Sequence, residues 1–375
     1  MSYKGLRIAG LMLLTLTFTT NGFAQGISYA TESGIGIVFG GEVELEFVDV
    51  EGPGGFSHQD LTYQKVSNRS PHLRIDRAIT TTRVVYSDNL FYYIEMGFYD
   101  DKTKVDRHYA RLKLEDYNTV LELGKNKPMV ATSRKTEAYP LIGTAFWKGR
   151  EYHITSNTKF ELGDDFELEL GLSFAMKRPL GTDDAAEDKS FKMLIYDDYE
   201  PKNGQTFEYG VMVGAEYEGV FAQGWYYYSQ LIDDYDWKTM LSQTFSEYDS
   251  DNKDHNWYGG RVGYDNDALL VRAEYISGTD GLLKRSGYYV DGGYTIGRFT
   301  PLVRYGTLNL DNLDPQIGNT LTWDRQMTAF AVLTKLHDYI TLKVEYYLLD
   351  ETTGGTGEDE KVKDNQLLVQ MKFEF

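Results

Sequence analysis

The 375-residue chain contains no cysteine. That absence excludes a disulfide framework, a thiolate metal site and a cysteine nucleophile. An exported protein without cysteine fits a bacterial envelope better than a small secreted domain, which would usually need covalent staples. Long apolar runs are also missing: after Ala24 pieces such as Ala268 to Val271 are typical, and none is longer than five residues. A spanning helix requires about 20 apolar residues, so a chain of this kind crosses a membrane only as a closed barrel. Enzyme signatures are absent too. No Gly-x-Ser-x-Gly and no His-Glu-x-x-His occurs, and the six histidines never stand at a metal-binding spacing. Gly34-Ile35-Gly36 has its third glycine at Gly40, one residue too late for a dinucleotide loop, and it precedes a strand pattern. Asp249-Ser250-Asp251 opens like a calcium loop, but Lys253 stands where an oxygen ligand is needed. No metal, no cofactor, no catalytic residue and no nucleic-acid partner is expected.

What is present begins with an export pattern. Lys4 and Arg7 precede an apolar run from Ile8 to Thr20, and Ala24 supplies a small residue before Gln25. This is the layout of a secretory signal peptide, with cleavage expected after Ala24. Removing those 24 residues, which hold two cations and no acid, leaves 351 residues and takes the formal charge from −19 to −21. Residues 25–375 are read as one domain.

At the other end, Leu367, Val369, Met371, Phe373 and Phe375 share one parity, and Gln366, Gln370, Lys372 and Glu374 share the other. Leu368 is the one apolar intruder on the polar side. Alternation of this kind describes a strand with one apolar and one polar face. The abundance of tyrosine, 30 against 5 tryptophans, suits strands and water–lipid boundaries alike. Similar alternation recurs through the chain, as in Val43, Leu45 and Phe47 against Glu42, Glu44 and Glu46. In the second strand Leu73 and Ile75 share a parity with Arg77 and Arg83, which predicts a bulge near Asp76 that re-aims the side chains. Counting gives about sixteen strands. Short links such as Ser87-Asp88-Asn89, Glu218-Gly219 and His337-Asp338 alternate with longer polar ones near 128–149, 179–204, 232–254 and 351–364. The expected fold is all-β: a transmembrane up-and-down antiparallel barrel with short periplasmic turns and long outer loops. The few residues before its first strand, read near Gly41, leave little room for a plug domain.

One charge cluster stands out. Lys125, Lys127, Arg134, Lys135, Lys148 and Arg150 crowd one segment against a single acid, Glu137. A basic loop of this kind either contacts lipopolysaccharide phosphates or folds into the pore and presents cations to passing anions. In the second case Arg134 and Lys135, at its middle, lie deepest. Parity places Arg111, Lys113, Arg272 and Arg304 towards the lumen, with Glu95, Glu122, Glu169, Glu274 and Glu345.

The stretches Arg74-Ile75-Asp76-Arg77-Ala78, Val84 to Glu95, Val105 to Lys113 and Leu121 to Pro128 resemble the phosphate-selective porin O and P family. Arg77, Ala78, Arg111, Gly124 and Lys127 occupy matching places. Asn126 replaces an aromatic residue, Pro128 directly follows Lys127, and Met129 stands where Phe is usual. The resemblance implies a diffusion porin, usually a homotrimer, and adds Arg77 to the lumen-lining set. It further implies a Gram-negative outer-membrane location and contact with the lipid bilayer and lipopolysaccharide. The last residues resemble the C-terminal signal of bacterial outer-membrane barrels, which implies delivery by the barrel-assembly machinery through Met371, Phe373 and Phe375. The expected cargo is small hydrophilic solutes or anions. The competing reading is an outer-membrane barrel enzyme or a soluble envelope β-protein that binds carbohydrate; it needs a compact catalytic set that this sequence does not advertise.

Overall fold

The computed structural model describes residues 27–30, 34–51, 71–98, 103–132, 135–137, 139–147, 151–163, 165–176, 207–230, 254–266, 268–280, 283–311, 324–352 and 365–375. Residues 1–24, where an export signal is expected, and most of the long links lie outside the described residues. The first strands are β1 (Ile27–Ala30), β2 (Gly36–Val50), β3 (His72–Ser87), β4 (Leu90–Phe98), β5 (Thr103–Leu114) and β6 (Thr119–Asn126). They are followed by β7 (Glu151–Glu161), β8 (Phe166–Met176), β9 (Phe207–Tyr217), β10 (Val220–Gln230), β11 (Asp254–Asp265) and β12 (Leu269–Asp280). The chain closes with β13 (Leu283–Tyr294), β14 (Phe299–Asp311), β15 (Asp324–His337), β16 (Ile340–Thr352) and β17 (Gln366–Glu374). Each of β2 to β17 pairs antiparallel with its sequence neighbour, and β17 pairs with β2 to close a ring of sixteen. β1, which the alternation did not reveal, pairs with residues 36–39 of β2, along the same edge that β17 occupies from Glu42 onwards.

The strand plan follows from an inversion of the usual core. On β2, Glu44 and Glu46 are buried while Leu45 between them is exposed. Leu123, Leu172, Val213, Val262, Val303 and Val332 likewise face outwards. In water that arrangement is unfavourable; in hydrocarbon it is the stable one, because the strands satisfy one another's backbone groups and only apolar side chains meet lipid. No described helix is long and apolar enough to cross a membrane. Aromatic side chains mark the ends of this apolar band. Tyr86, Tyr117, Tyr217, Tyr294, Phe299, Tyr339 and Phe375 are all exposed near the short turns. Tyr209, Tyr226, Tyr258, Tyr275, Tyr288 and Tyr305 form an outer row further along the strands. Rings of this type favour the water–lipid boundary, which accounts for much of the tyrosine excess.

The phase conflict in β3 resolves where the sequence placed it. Glu44 pairs with Arg77 and Leu45 with Ile75, so Asp76 is the extra residue. Leu73 and Ile75 therefore point outwards and Arg77 inwards. A second bulge at Asp106 does the same for β5, since Glu95 pairs with Arg107 and Met96 with Val105.

Closure depends on a close approach at the last residue. Gly41 and Phe375 exchange backbone hydrogen bonds of 2.9 and 3.0 Å. A Cβ at Gly41 would stand 2.5 Å from the carbonyl oxygen of Ile79 and 2.6 Å from the Phe375 ring. Gly41→Ala is therefore expected to destabilise the barrel by about 1–3 kcal/mol, the usual cost of overpacking. Gly224→Ala, whose Cβ would meet nothing closer than 3.8 Å, is the control. Urea titration of the folded barrel checks this; equal midpoints for the two variants would contradict it.

Candidate functional site

The lumen is divided by the link between β6 and β7. Pro128 has no N–H to continue the ladder, so β6 ends at Asn126 and the chain turns inwards, with Ala131 N–H bonding back to the Pro128 carbonyl at 2.9 Å. Its contacts lie across the ring. Thr136 Oγ1 accepts from Arg304 at 2.7 Å, and the Glu137 N–H donates to both oxygens of Glu345 at 3.0 and 2.9 Å. Lys343 Nζ donates to the Glu137 carboxylate at 3.0 Å. Arg304 lies on β14, eight strands from β6 in a ring of sixteen, so the loop reaches the opposite wall.

It is held there by an apolar core built inside the barrel. Val130, Leu141, Ile142, Ala145, Phe146 and Trp147 from the loop bury against wall residues such as Met212, Tyr227, Trp257, Ile276 and Tyr289. Trp257 stacks between Tyr227, with centroids 4.2 Å apart, and Phe146 at 6.2 Å. Gly278 and Gly287 leave room for the loop: a Cβ at either would meet Phe146 at 2.8 Å or Ile142 at 2.5 Å. Leu368, the intruder on the polar face of β17, belongs to this core, as do Val48 and Val50. Burying each such side chain contributes about 1.5–3 kcal/mol.

Beneath the loop runs a row of cations, one per strand from β11 to β16: Arg261, Arg272, Arg285, Arg304, Arg325 and Lys343, all buried. Buried charge is costly unless paired and hydrogen-bonded. Glu274 meets that need by accepting from Arg261 at 2.6 Å, Trp147 Nε1 at 2.9 Å and Tyr289 at 3.0 Å. Asp291 binds Arg272 through both oxygens at 3.2 and 2.7 Å and also accepts from Arg304 at 3.2 Å. Loop carbonyls complete the set, Val130 for Arg261 at 2.5 Å and Ala145 for Arg285 at 3.0 Å.

The other side of the lumen stays open. A cavity of about 880 Å³ runs along β2 to β5, β16 and β17, bounded on the loop side by Lys127 and Tyr139. Lys127 Nζ donates to the Tyr139 hydroxyl at 2.8 Å. Arg77, Arg83, Arg107 and Arg111 line its wall, with Lys343 on β16 and Lys372 on β17; together with Lys127 that makes seven cations among the described residues. Four acids face them: Glu42, Glu44, Glu95 and Glu374. Pairing is concentrated in the middle. Arg77 contacts Glu42 at 3.1 Å and Glu95 at 3.6 Å, Arg107 pairs with Glu95, and Lys372 pairs with Glu42 at 2.6 Å.

These positions sort the residues picked out by sequence. Lys127 borders the passage, and Lys135 lies half-buried on the inward loop. Arg134, Lys148 and Arg150 lie outside the described residues. Lys125 is corrected: it still belongs to β6, where it pairs with His108 and Tyr152 and shares the outward parity of Leu121 and Leu123. Arg77 and Arg111 line the cavity, and Lys113 has the parity of Arg111, two residues closer to the turn end. Arg272 and Arg304 are on the inner face but buried away from lumenal water: Arg304 holds the loop through Thr136, and Arg272 is bound to Asp291. Met371, Phe373 and Phe375 have the outward parity of β17. Arg83 and Arg107 were missed, although unbroken alternation puts them on the face of Arg77 and Arg111.

No family model matches the sequence, and no curated protein matches it either. Solved structures do resemble the fold. OmpF of Salmonella typhi, in a complex with daunomycin, is 12% identical with a TM-score of 0.59, over 93% of this chain and 100% of that one. An anion-selective porin from Comamonas acidovorans is 11% identical with a TM-score of 0.56, over 91% of this chain and 100% of that one. OmpT of Vibrio cholerae in a trimer form, described as an outer membrane protein, is 12% identical with a TM-score of 0.56, over 91% and 99%. The chain therefore has the closed sixteen-stranded antiparallel fold of outer-membrane porins.

Trp147→Ala is expected to loosen the loop, because it removes a fully buried indole and its bond to Glu274. The loss of local stability should be about 3–5 kcal/mol. Hydrogen exchange checks it: amides of residues 139–147 lose protection while β11 to β16 keep theirs. Unchanged protection at 139–147 contradicts the docking.

Proposed function

We propose that the chain is a non-enzymatic outer-membrane porin, a water-filled channel for passive diffusion of small hydrophilic solutes, with a preference for anions. The observation that carries this reading is the loop folded across a lipid-facing barrel, which leaves an open passage lined, among the described residues, by seven cations and four acids. A charged lining in a narrow, low-dielectric tube acts strongly on ions, since at physiological salt a charge is felt over about 8 Å before it is screened. The chain as a whole is strongly acidic, so anion preference has to arise at this lining. The motif resemblance around Arg77, Arg111 and Gly124 supports a place near the phosphate-selective porins; the proposal extends to anions and not to phosphate in particular.

The same reading makes residues 1–24 a cleaved export signal and the outward row Met371, Phe373 and Phe375 the assembly signal. It makes the working form a homotrimer in contact with lipopolysaccharide. In planar bilayers the purified protein is expected to give stepwise conductance and an anion-sided zero-current potential across a potassium chloride gradient. Lys127→Glu reverses one charge where the loop borders the passage. It should lower the anion-to-cation permeability ratio several-fold. Absence of conductance steps sinks the channel reading. An unchanged potential in the variant moves selectivity away from Lys127.

A further inference from the structure

At the turn end of the passage, cations and rings alternate along the wall formed by β3, β4 and β5. The guanidinium carbon of Arg83 lies 5.5 Å from the centre of the Phe91 ring, and that of Arg111 lies 5.9 Å from it. Arg111 is the direct cross-strand partner of Phe91, and Arg83 is diagonal to it. Arg83 is exposed to the lumen and has no ion pair or hydrogen bond among the described residues. The nearest acid to Arg111 is Glu122 at 3.8 Å, and nearly half of the arginine side chain is exposed. The aromatic row continues with Tyr109, 6.4 Å from Phe91, and Tyr93, 5.2 Å from Tyr109. Arg107 stands over Tyr93 at 5.2 Å, but its charge is met by Glu95.

We infer that this wall is a binding subsite for aromatic carboxylates in transit. The inference rests on the channel reading and names the class of solute that the passage favours. A guanidinium fork matches a carboxylate through two parallel hydrogen bonds. An aromatic ring on the same molecule meets Phe91 or Tyr109 edge-on or offset, the arrangements such rings prefer. A hydrated inorganic anion uses only the charge, and a neutral aromatic uses only the rings. A compact dianion such as phosphate is served best by several converging donors. Here each available guanidinium lies against a phenyl ring, and the next cation along is already paired. The cavity, at about 880 Å³, has room for such a solute and its water.

Single-channel recording of the full-length protein in potassium chloride tests this, with sodium benzoate, sodium acetate, sodium phosphate and benzyl alcohol added in turn. Benzoate is expected to interrupt the current at about three- to tenfold lower concentration than acetate or phosphate, the range that one aromatic contact supplies. Benzyl alcohol should leave it uninterrupted. Phe91→Leu, which keeps apolar volume but removes the ring, should abolish the difference between benzoate and acetate. Arg83→Gln with Arg111→Gln should weaken interruption by both carboxylates. The wild-type comparison needs no variant to fold and decides alone. Equal potency of benzoate and acetate, stronger interruption by phosphate, or a benzoate preference that survives Phe91→Leu overturns the subsite while leaving the channel standing. No conductance steps at all overturns the channel reading itself.

Discussion

Six neighbouring strands each turn one cation into the barrel, and the loop that crosses the lumen makes that arrangement tolerable. Without it, Arg261, Arg285 and Arg304 would lack the Val130 and Ala145 carbonyls and the Thr136 hydroxyl that accept from them. In turn Glu274 accepts from Arg261 and from the loop's Trp147, the loop's Glu137 is met by Lys343, and Glu345 accepts from the loop's Glu137 N–H. A buried charge without its partner costs several kcal/mol, so neither half of the network is stable alone. The apolar anchors Ile142, Phe146 and Trp147 supply the gain that brings the two halves together. The rest of the architecture follows from where this assembly sits.

Because the loop docks on β9 to β16, it fills one side of the lumen and leaves the other to water. The open side is walled by β2 to β5, where the two bulges have turned the arginines of β3 and β5 inwards. Polar residues can occupy that wall cheaply because it is wet. The outer face of the same strands meets hydrocarbon and is apolar. A single alternating pattern thus serves two solvents, and the loop decides how much of the inner one remains.

Much of the fold was legible because lipid imposes a period of two on every strand. Sixteen strands, their short turns and even the misfit at Asp76 can be read from parity alone. The loop was legible as a run of charge, but not its destination: Glu137 meets Glu345 across 208 positions, and no local pattern encodes that contact. Charge counting also misled at Lys125, where strand parity, not net charge, decides the face. Arg272 and Arg304 had the right face but the wrong surroundings, since a cover cannot be seen in the strand that it covers. Arg83 and Arg107 share the parity of Arg77 and Arg111 with no bulge between them, so parity alone would have placed them. Leu368, by contrast, was a visible exception to alternation, and its place under the loop explains it.

The central claim is that the loop lies inside the barrel against its far wall. A chain without cysteine permits a direct test with Glu137→Cys and Glu345→Cys in one variant, treated with a short bifunctional thiol reagent. The 3.0 Å contact between these residues predicts intramolecular cross-linking in the folded barrel. It also predicts that conductance persists, because the passage runs along the opposite side. Failure to cross-link, with position 137 open to a bulky membrane-impermeant maleimide from outside, would contradict it.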